Sequence, residues 1–182
     1  MGRSSLSVAV LFMMGVFASQ LPAQENRTLP TVTAIGIPGI KKLIHDRNGR
    51  TLFLNVWATW CKPCLEEFPD IAKIEETYAG HSVEVVAISI DYPDEIETKI
   101  LPFLASQKVH FRVYVSSIKK DEDLMNVLNP AWRGAVPATF VFDGRGKMRA
   151  FLQGQKSYET FKATVDSVMG VGLRSNVRGP RS

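Results

Sequence analysis

Only two cysteines and three histidines occur in the 182 residues. Two cysteines cannot build a disulfide scaffold. His45, His81 and His110 are scattered, each bordering a turn or helix end, so they read as surface residues, and the spacing offers neither four zinc ligands nor three plus water. Charge of one sign is scarce as well. The formal net charge is +4, of which Arg3 supplies one unit and Arg174, Arg178 and Arg181 supply three, leaving the segment between them neutral. The basic face that nucleic-acid binding requires is therefore missing. No apolar run reaches the roughly 20 residues of a comfortable membrane span, and no internal repeat is visible. What is there, 45% apolar and 22% charged residues, is the balance of one globular domain.

The two ends differ from the middle. Arg3 is followed by an apolar run from Leu6 to Ala18 and then by small and polar residues through Gln24. A basic start, a short apolar core and small residues describe a secretory signal peptide over residues 1–23, with cleavage possible after Val16-Phe17-Ala18 or Leu21-Pro22-Ala23. An uncleaved anchor is the alternative, and both place the domain outside the cytoplasm. No cysteine follows the apolar core, as a lipoprotein anchor would need. Residues 171–182 carry two glycines, one proline and three arginines without apolar periodicity, and read as a flexible basic tail. The folded domain is expected over residues 28–170.

Within it, Thr31–Ile35 reads as an edge strand and Pro38–Asp46 as a helix. Thr51–Trp57 is apolar nearly throughout, as a central strand covered on both faces should be. Leu65, Phe68, Ile71, Ala72 and Ile74 give a helical stripe from Pro63 to about Tyr78, with Pro69 expected to kink it. Val83–Ile90 is a second buried strand. A helix is expected from Pro93 through Leu104, bent or interrupted at Pro102. Phe111–Val115 alternates as a strand, and Asp121–Leu128 is a helix with acids in its favourable first turn. Ala138–Phe142 and Lys147–Leu152 form an antiparallel hairpin around Asp143-Gly144-Arg145-Gly146, and Tyr158–Met169 closes the domain as a helix. Strand-helix-strand units followed by a hairpin and helix make a mixed α/β sheet with helices on both faces.

The chemistry lies in Trp60-Cys61-Lys62-Pro63-Cys64, directly after a buried strand and at the start of a helix. Spacing i, i+3 on one turn brings the two sulfurs within bonding reach. At the helix N-terminus Cys61 meets free backbone N–H groups and the positive end of the macrodipole, which favour thiolate, and Lys62 adds a nearby positive charge. Cys64 is one turn inside and less exposed. Cys61 is therefore the expected attacking thiol and Cys64 the resolving thiol. Pro63 fits the first turn, where its missing N–H costs nothing. With no second cysteine pair this is not a zinc site. Asp121-Glu122-Asp123 lacks the glycine and terminal glutamate of a calcium loop, Asp143–Gly146 lacks phosphate-loop spacing, and the methionines show no copper-binding spacing.

The stretch from Phe53 to Pro69 resembles the active-site segment of the extracytoplasmic thioredoxin-like thiol-disulfide oxidoreductases, the TlpA/ResA group. Gly134-Ala135-Val136-Pro137-Ala138-Thr139-Phe140 is similar to the cis-proline segment of that fold. The resemblance covers about residues 30–170 and implies a thioredoxin fold, a central mixed sheet flanked by helices with an N-terminal β-α extension. It also implies a cis Pro137, beside which the backbone of Val136 could pair with an extended substrate peptide. The implied activity is reduction of envelope protein disulfides through a redox-active Cys61–Cys64 disulfide, with no other cofactor. The implied partners are protein disulfides, among them the haem-attachment cysteines of apocytochrome c, and a membrane electron donor. A monomer in the periplasm or cell envelope of a bacterium is expected.

The chain also departs from thioredoxin itself. Asn55 stands where thioredoxin has a buried acid that would accept the Cys64 proton, which Asn cannot do. Some members of the group place a glutamate after the next strand; that position falls here near Asp91 and Tyr92, with Glu95 one turn on. Asp91 is the candidate acid-base helper, against the simpler reading of a turn cap before Pro93. Trp132 and Arg133 either line the partner groove or form a packed loop aromatic and a solvated charge. An oxidase or isomerase would use the same residues at another reduction potential, and a binding module would keep Cys61–Cys64 as a structural disulfide. A peroxidase would need a P-x-x-x-[ST]-x-x-C pattern, which is absent.

Overall fold

A computed structural model describes residues 31–170; the expected signal segment, residues 1–23, and the expected tail, residues 171–182, lie outside it. The strand β2 (Thr51–Trp57) organises the sheet, with all seven residues buried. Its side chains divide by parity, as a strand requires. Leu52, Leu54 and Val56 enter one apolar cluster, Phe53 and Trp57 the other. The remaining elements are β1 (Thr33–Ile35), α1 (Ile37–His45), α2 (Lys62–Thr77), β3 (Val83–Ser89), α3 (Leu101–Ser106), β4 (Arg112–Ser116), α4 (Asp121–Leu128), β5 (Ala138–Phe142), β6 (Met148–Gln153) and α5 (Tyr158–Met169).

The six strands lie in the order β1-β4-β3-β2-β5-β6. The first four are parallel to one another, β5 runs antiparallel to β2, and β6 runs antiparallel to β5. Ile40 and Ile44 of α1 and Leu124 and Leu128 of α4 cover one face. Phe68, Ile71 and Ile74 of α2, Leu104 of α3 and Phe161 and Val165 of α5 cover the other. The expected mixed α/β sheet with helices on both faces is thus observed. Among the described residues no helix is long and apolar enough to cross a membrane.

The helix expected from Pro93 through Leu104 is interrupted as Pro102 implied, and consists of a 3-10 turn (Pro93–Glu95), a wide turn (Ile96–Ile100) and α3. Pro102 has no N–H to continue an ordinary helix, and Leu101 N–H donates instead to the Ile96 carbonyl five residues back. Pro69 lies inside α2. Trp132 does not line an open groove: it is 1% exposed, packs edge-on against Phe140 with ring centroids 5.5 Å apart, and its Nε1–H donates to the Ala135 carbonyl. Arg133 is exposed and donates to the Pro130 carbonyl.

At the opposite end of β2 from the cysteines, Arg47 is buried and donates to the Leu43 and Arg50 carbonyls and to Glu84 Oε2 at 2.9 Å. Glu84 also faces Arg50 and Arg112. That cluster joins the α1–β2 connection to β3 and β4.

Candidate active site

Register brings three connections to one edge of the sheet. Trp57 pairs with Ser89 in the parallel direction, so the chain leaves β2 and β3 side by side. Val56 pairs with Ala138 antiparallel, so the segment entering β5 arrives at the same edge. That segment contains the Val136–Pro137 peptide bond, which is cis, with Pro137 buried. The carboxyl ends of parallel strands are where α/β sheets place their ligand sites.

Here Cys61 is the N-cap of α2, and its Sγ accepts a hydrogen bond from Cys64 N–H at 3.3 Å. Cys61 N–H donates to the Ala58 carbonyl at 3.2 Å, closing a tight turn before the helix. The two sulfurs are joined, with Cα atoms 5.2 Å apart. Cys61 is 6% exposed and Cys64 fully buried, so the sulfur nearer solvent is the one at the helix N-terminus. Pro63 occupies the first turn. Lys62 points to solvent and faces Glu66 at 3.7 Å, so its charge is largely screened at Cys61. Trp60 is 66% exposed immediately before Cys61. Trp57, below the disulfide, is fully buried against Phe68 and Phe103.

The structure adds a residue that sequence reasoning did not single out. Glu67 of α2 is 1% exposed and lies one turn beyond Cys64, on the same helical face. Its Oε1 accepts from Asn55 Nδ2 at 2.8 Å, and its Oε2 from Lys156 N–H at 3.1 Å. Asn55 also donates to Thr139 Oγ1, its cross-strand partner on β5. Burial pushes the Glu67 carboxyl up to about 7, against the opposing pull of the Lys156 and Asn55 hydrogen bonds. A buried carboxyl titrating near neutrality beside a dithiol is equipped to accept and return a proton. The signal was present in the sequence: Cys64, Glu67, Ile71 and Ile74 run at i, i+3, i+7 and i+10 along the inward stripe, and Glu is the one acid there.

Asp91 is buried as well, but its partners are in the active-site turn. Its carboxylate accepts from Thr59 N–H at 2.9 and 3.2 Å, from Thr59 Oγ1 at 2.7 Å and from Ser89 Oγ at 2.5 Å. Asp91 N–H donates back to Ser89 Oγ. Among the described residues no group of His, Cys, Asp and Glu could hold a metal ion.

This geometry has relatives. The chain is 26% identical over 152 residues to the thiol-disulfide oxidoreductase ResA of Geobacillus thermodenitrificans, covering 84% of this chain and 82% of that one. It is 28% identical over 139 residues to ResA of Bacillus subtilis, covering 76% and 73%. Among solved structures, a thiol:disulfide interchange protein of the thioredoxin family from Chlorobium tepidum superposes with a TM-score of 0.59 at 23% identity, over 69% of this chain and 83% of that chain. The likeness establishes the thioredoxin fold that the motifs around Cys61 and Pro137 implied. The profile of the AhpC/TSA family matches residues 27–151, and the chain belongs to that family.

Proposed function

We propose that the protein is an extracytoplasmic thiol-disulfide oxidoreductase that reduces protein disulfides in the bacterial cell envelope. The observation that carries this reading is the Cys61–Cys64 pair at the N-terminus of α2, with Cys61 Sγ on the Cys64 N–H. A thiolate at Cys61 is stabilised there by the N–H and the helix dipole. The relatives named ResA support the chemistry, and the basic and apolar start of the chain over residues 1–23 supports export.

In the reducing direction the Cys61 thiolate attacks one sulfur of a substrate disulfide. A mixed disulfide forms and the other substrate sulfur leaves as thiolate, taking up a proton. Cys64 then loses its proton, for which Glu67 is the nearest buried acceptor along α2, and attacks Cys61 Sγ. The second substrate thiolate departs and the Cys61–Cys64 disulfide remains, two electrons having passed to the substrate. Restoring the dithiol requires a thiol-disulfide donor reaching across the membrane. Substrates are extended peptides laid along Val136 and Pro137, with Trp60 beside them; haem-attachment cysteines of apocytochrome c are one such class. The Cys61–Cys64 disulfide is the redox group, and no further cofactor is invoked.

The test is equilibration of the protein in dithiothreitol and glutathione buffers with thiol trapping. A potential near about −250 mV or lower supports the reductase, one near about −120 mV an oxidase. A bond that resists every physiological buffer would leave only a binding module.

A further inference from the structure

We infer that Asp91 is the positioning residue of the active-site turn: by gripping Thr59 its carboxylate fixes the segment from Ala58 to Cys61, so that Cys61 Sγ stays at the N-terminus of α2. The inference rests on the thiol-disulfide reading above and adds to it a residue from another strand. Thr59 lies inside the turn closed by the Cys61 N–H to Ala58 carbonyl bond. Its N–H and its hydroxyl both point at Asp91. Among the described residues the other anchor of this carboxylate is Ser89, the last residue of β3, which is itself in register with Trp57. The Asp91–Thr59 contact therefore joins the two chain segments immediately as they leave paired strands.

Every group on the Asp91 carboxylate is a donor, and both oxygens are used. A carboxylate so occupied is arranged to hold a structure, whereas Glu67, with one donor on each oxygen, retains free acceptor capacity. The two buried acids thus divide the work, Glu67 handling the proton and Asp91 the geometry. Lys99, on the turn that follows, is paired with Glu95. Holding a nucleophile in a reactive pose is worth large factors in rate, and small misplacements are costly.

The test uses the full chain, reduced, with Asp91→Ala, Asp91→Asn, Thr59→Val and Thr59→Ser. Two readouts are taken: the rate of mixed-disulfide formation with a cystine-containing peptide, and the pH midpoint of Cys61 alkylation by iodoacetamide. Loss of a hydrogen bond to a charged group predicts a rate about 10-fold lower in both Asp91 variants. Thr59→Val should show a smaller loss that Thr59→Ser restores. The alkylation midpoint should rise in the Asp91 variants, because Cys61 leaves the N–H groups that favour its thiolate. A falling midpoint would mean that Asp91 acts as a repelling charge and would overturn the inference, as would an unchanged rate and midpoint. Should Asp91→Ala fail to fold, the Thr59 pair decides: equal rates for Val and Ser reject the role. A wild-type chain without exchange activity would sink the thiol-disulfide reading itself, independently of any variant.

Discussion

Asn55 Nδ2 donates to Glu67 Oε1 at 2.8 Å across the layer between β2 and α2. The amide thus occupies the strand position of an acid while a helix residue carries the acid itself. Glu67→Gln keeps the side-chain shape and removes the titrating group. Resolution of a mixed disulfide by Cys64 should slow by about 10- to 100-fold at pH 7, the usual contribution of a general base being of that order or larger. Attack by Cys61 should be little affected. Stopped-flow tryptophan fluorescence, with Trp57 buried close by, can separate the two steps, and equal slowing of both would contradict the assignment.

The same carboxyl sets a pH dependence of stability. Its pKa rises from 4.5 to about 7 on folding, so the folded state binds the proton more tightly than the unfolded chain. Stability is therefore fully present below about pH 4.5 and is lost as pH rises towards 7, by about 3 kcal/mol for a shift of this size. Urea titrations at pH 5 and pH 8 should show the wild type weakening, and Glu67→Gln should remove that slope from the Glu67 window.

Cys61→Ser should abolish disulfide exchange, because no sulfur then stands at the N-terminus of α2. Cys64→Ser should retain attack and accumulate mixed disulfides, which non-reducing electrophoresis reveals. Exchange surviving in the Cys61 variant would refute the order of attack.

Away from the site, Arg47 is 2% exposed and bonded to two carbonyls and Glu84. Removing one partner of a buried pair leaves the other charge uncompensated, so Arg47→Ala should cost about 3 kcal/mol. Calorimetry measures it, and a change below about 1 kcal/mol would show that Arg50 and Arg112 compensate.

Gly146 has φ +77°, and a Cβ there would stand 2.4 Å from the Ile44 carbonyl oxygen. Gly146→Ala should therefore destabilise by more than 1 kcal/mol, about the range for Ala forced to positive φ, and thermal unfolding would register it.

The cysteine pair at a helix start was legible because its immediate setting is local: a buried strand, a turn and a helix start within a few residues. The central place of β2 was legible for a similar reason, since Thr51–Trp57 is apolar on both faces. Glu67 was legible only as an acid on the apolar stripe of α2, a weak signal because a glutamate on an amphipathic helix ordinarily faces water. Its environment is made by Asn55 and by Lys156, a partner 89 positions away, and no local pattern encodes that contact. Trp132 was ambiguous because burial of a loop aromatic is decided by what covers it, here Phe140. The wide turn at Ile96–Ile100 follows from Pro102, whose presence announced an interruption without fixing its form.

Strand β1 is three residues long, yet Thr33, Ala34 and Ile35 pair along β4 from Tyr114 to Ser116. Were it absent, β4 would become the outermost strand, presenting a row of unpaired amides and carbonyls to any neighbouring chain. Such a row is a template for edge-to-edge polymerisation. Among the described residues the short extension ahead of α1 thus covers the β4 edge against strand addition, and a chain cut after Ile35 would expose that edge as a nucleus of aggregation.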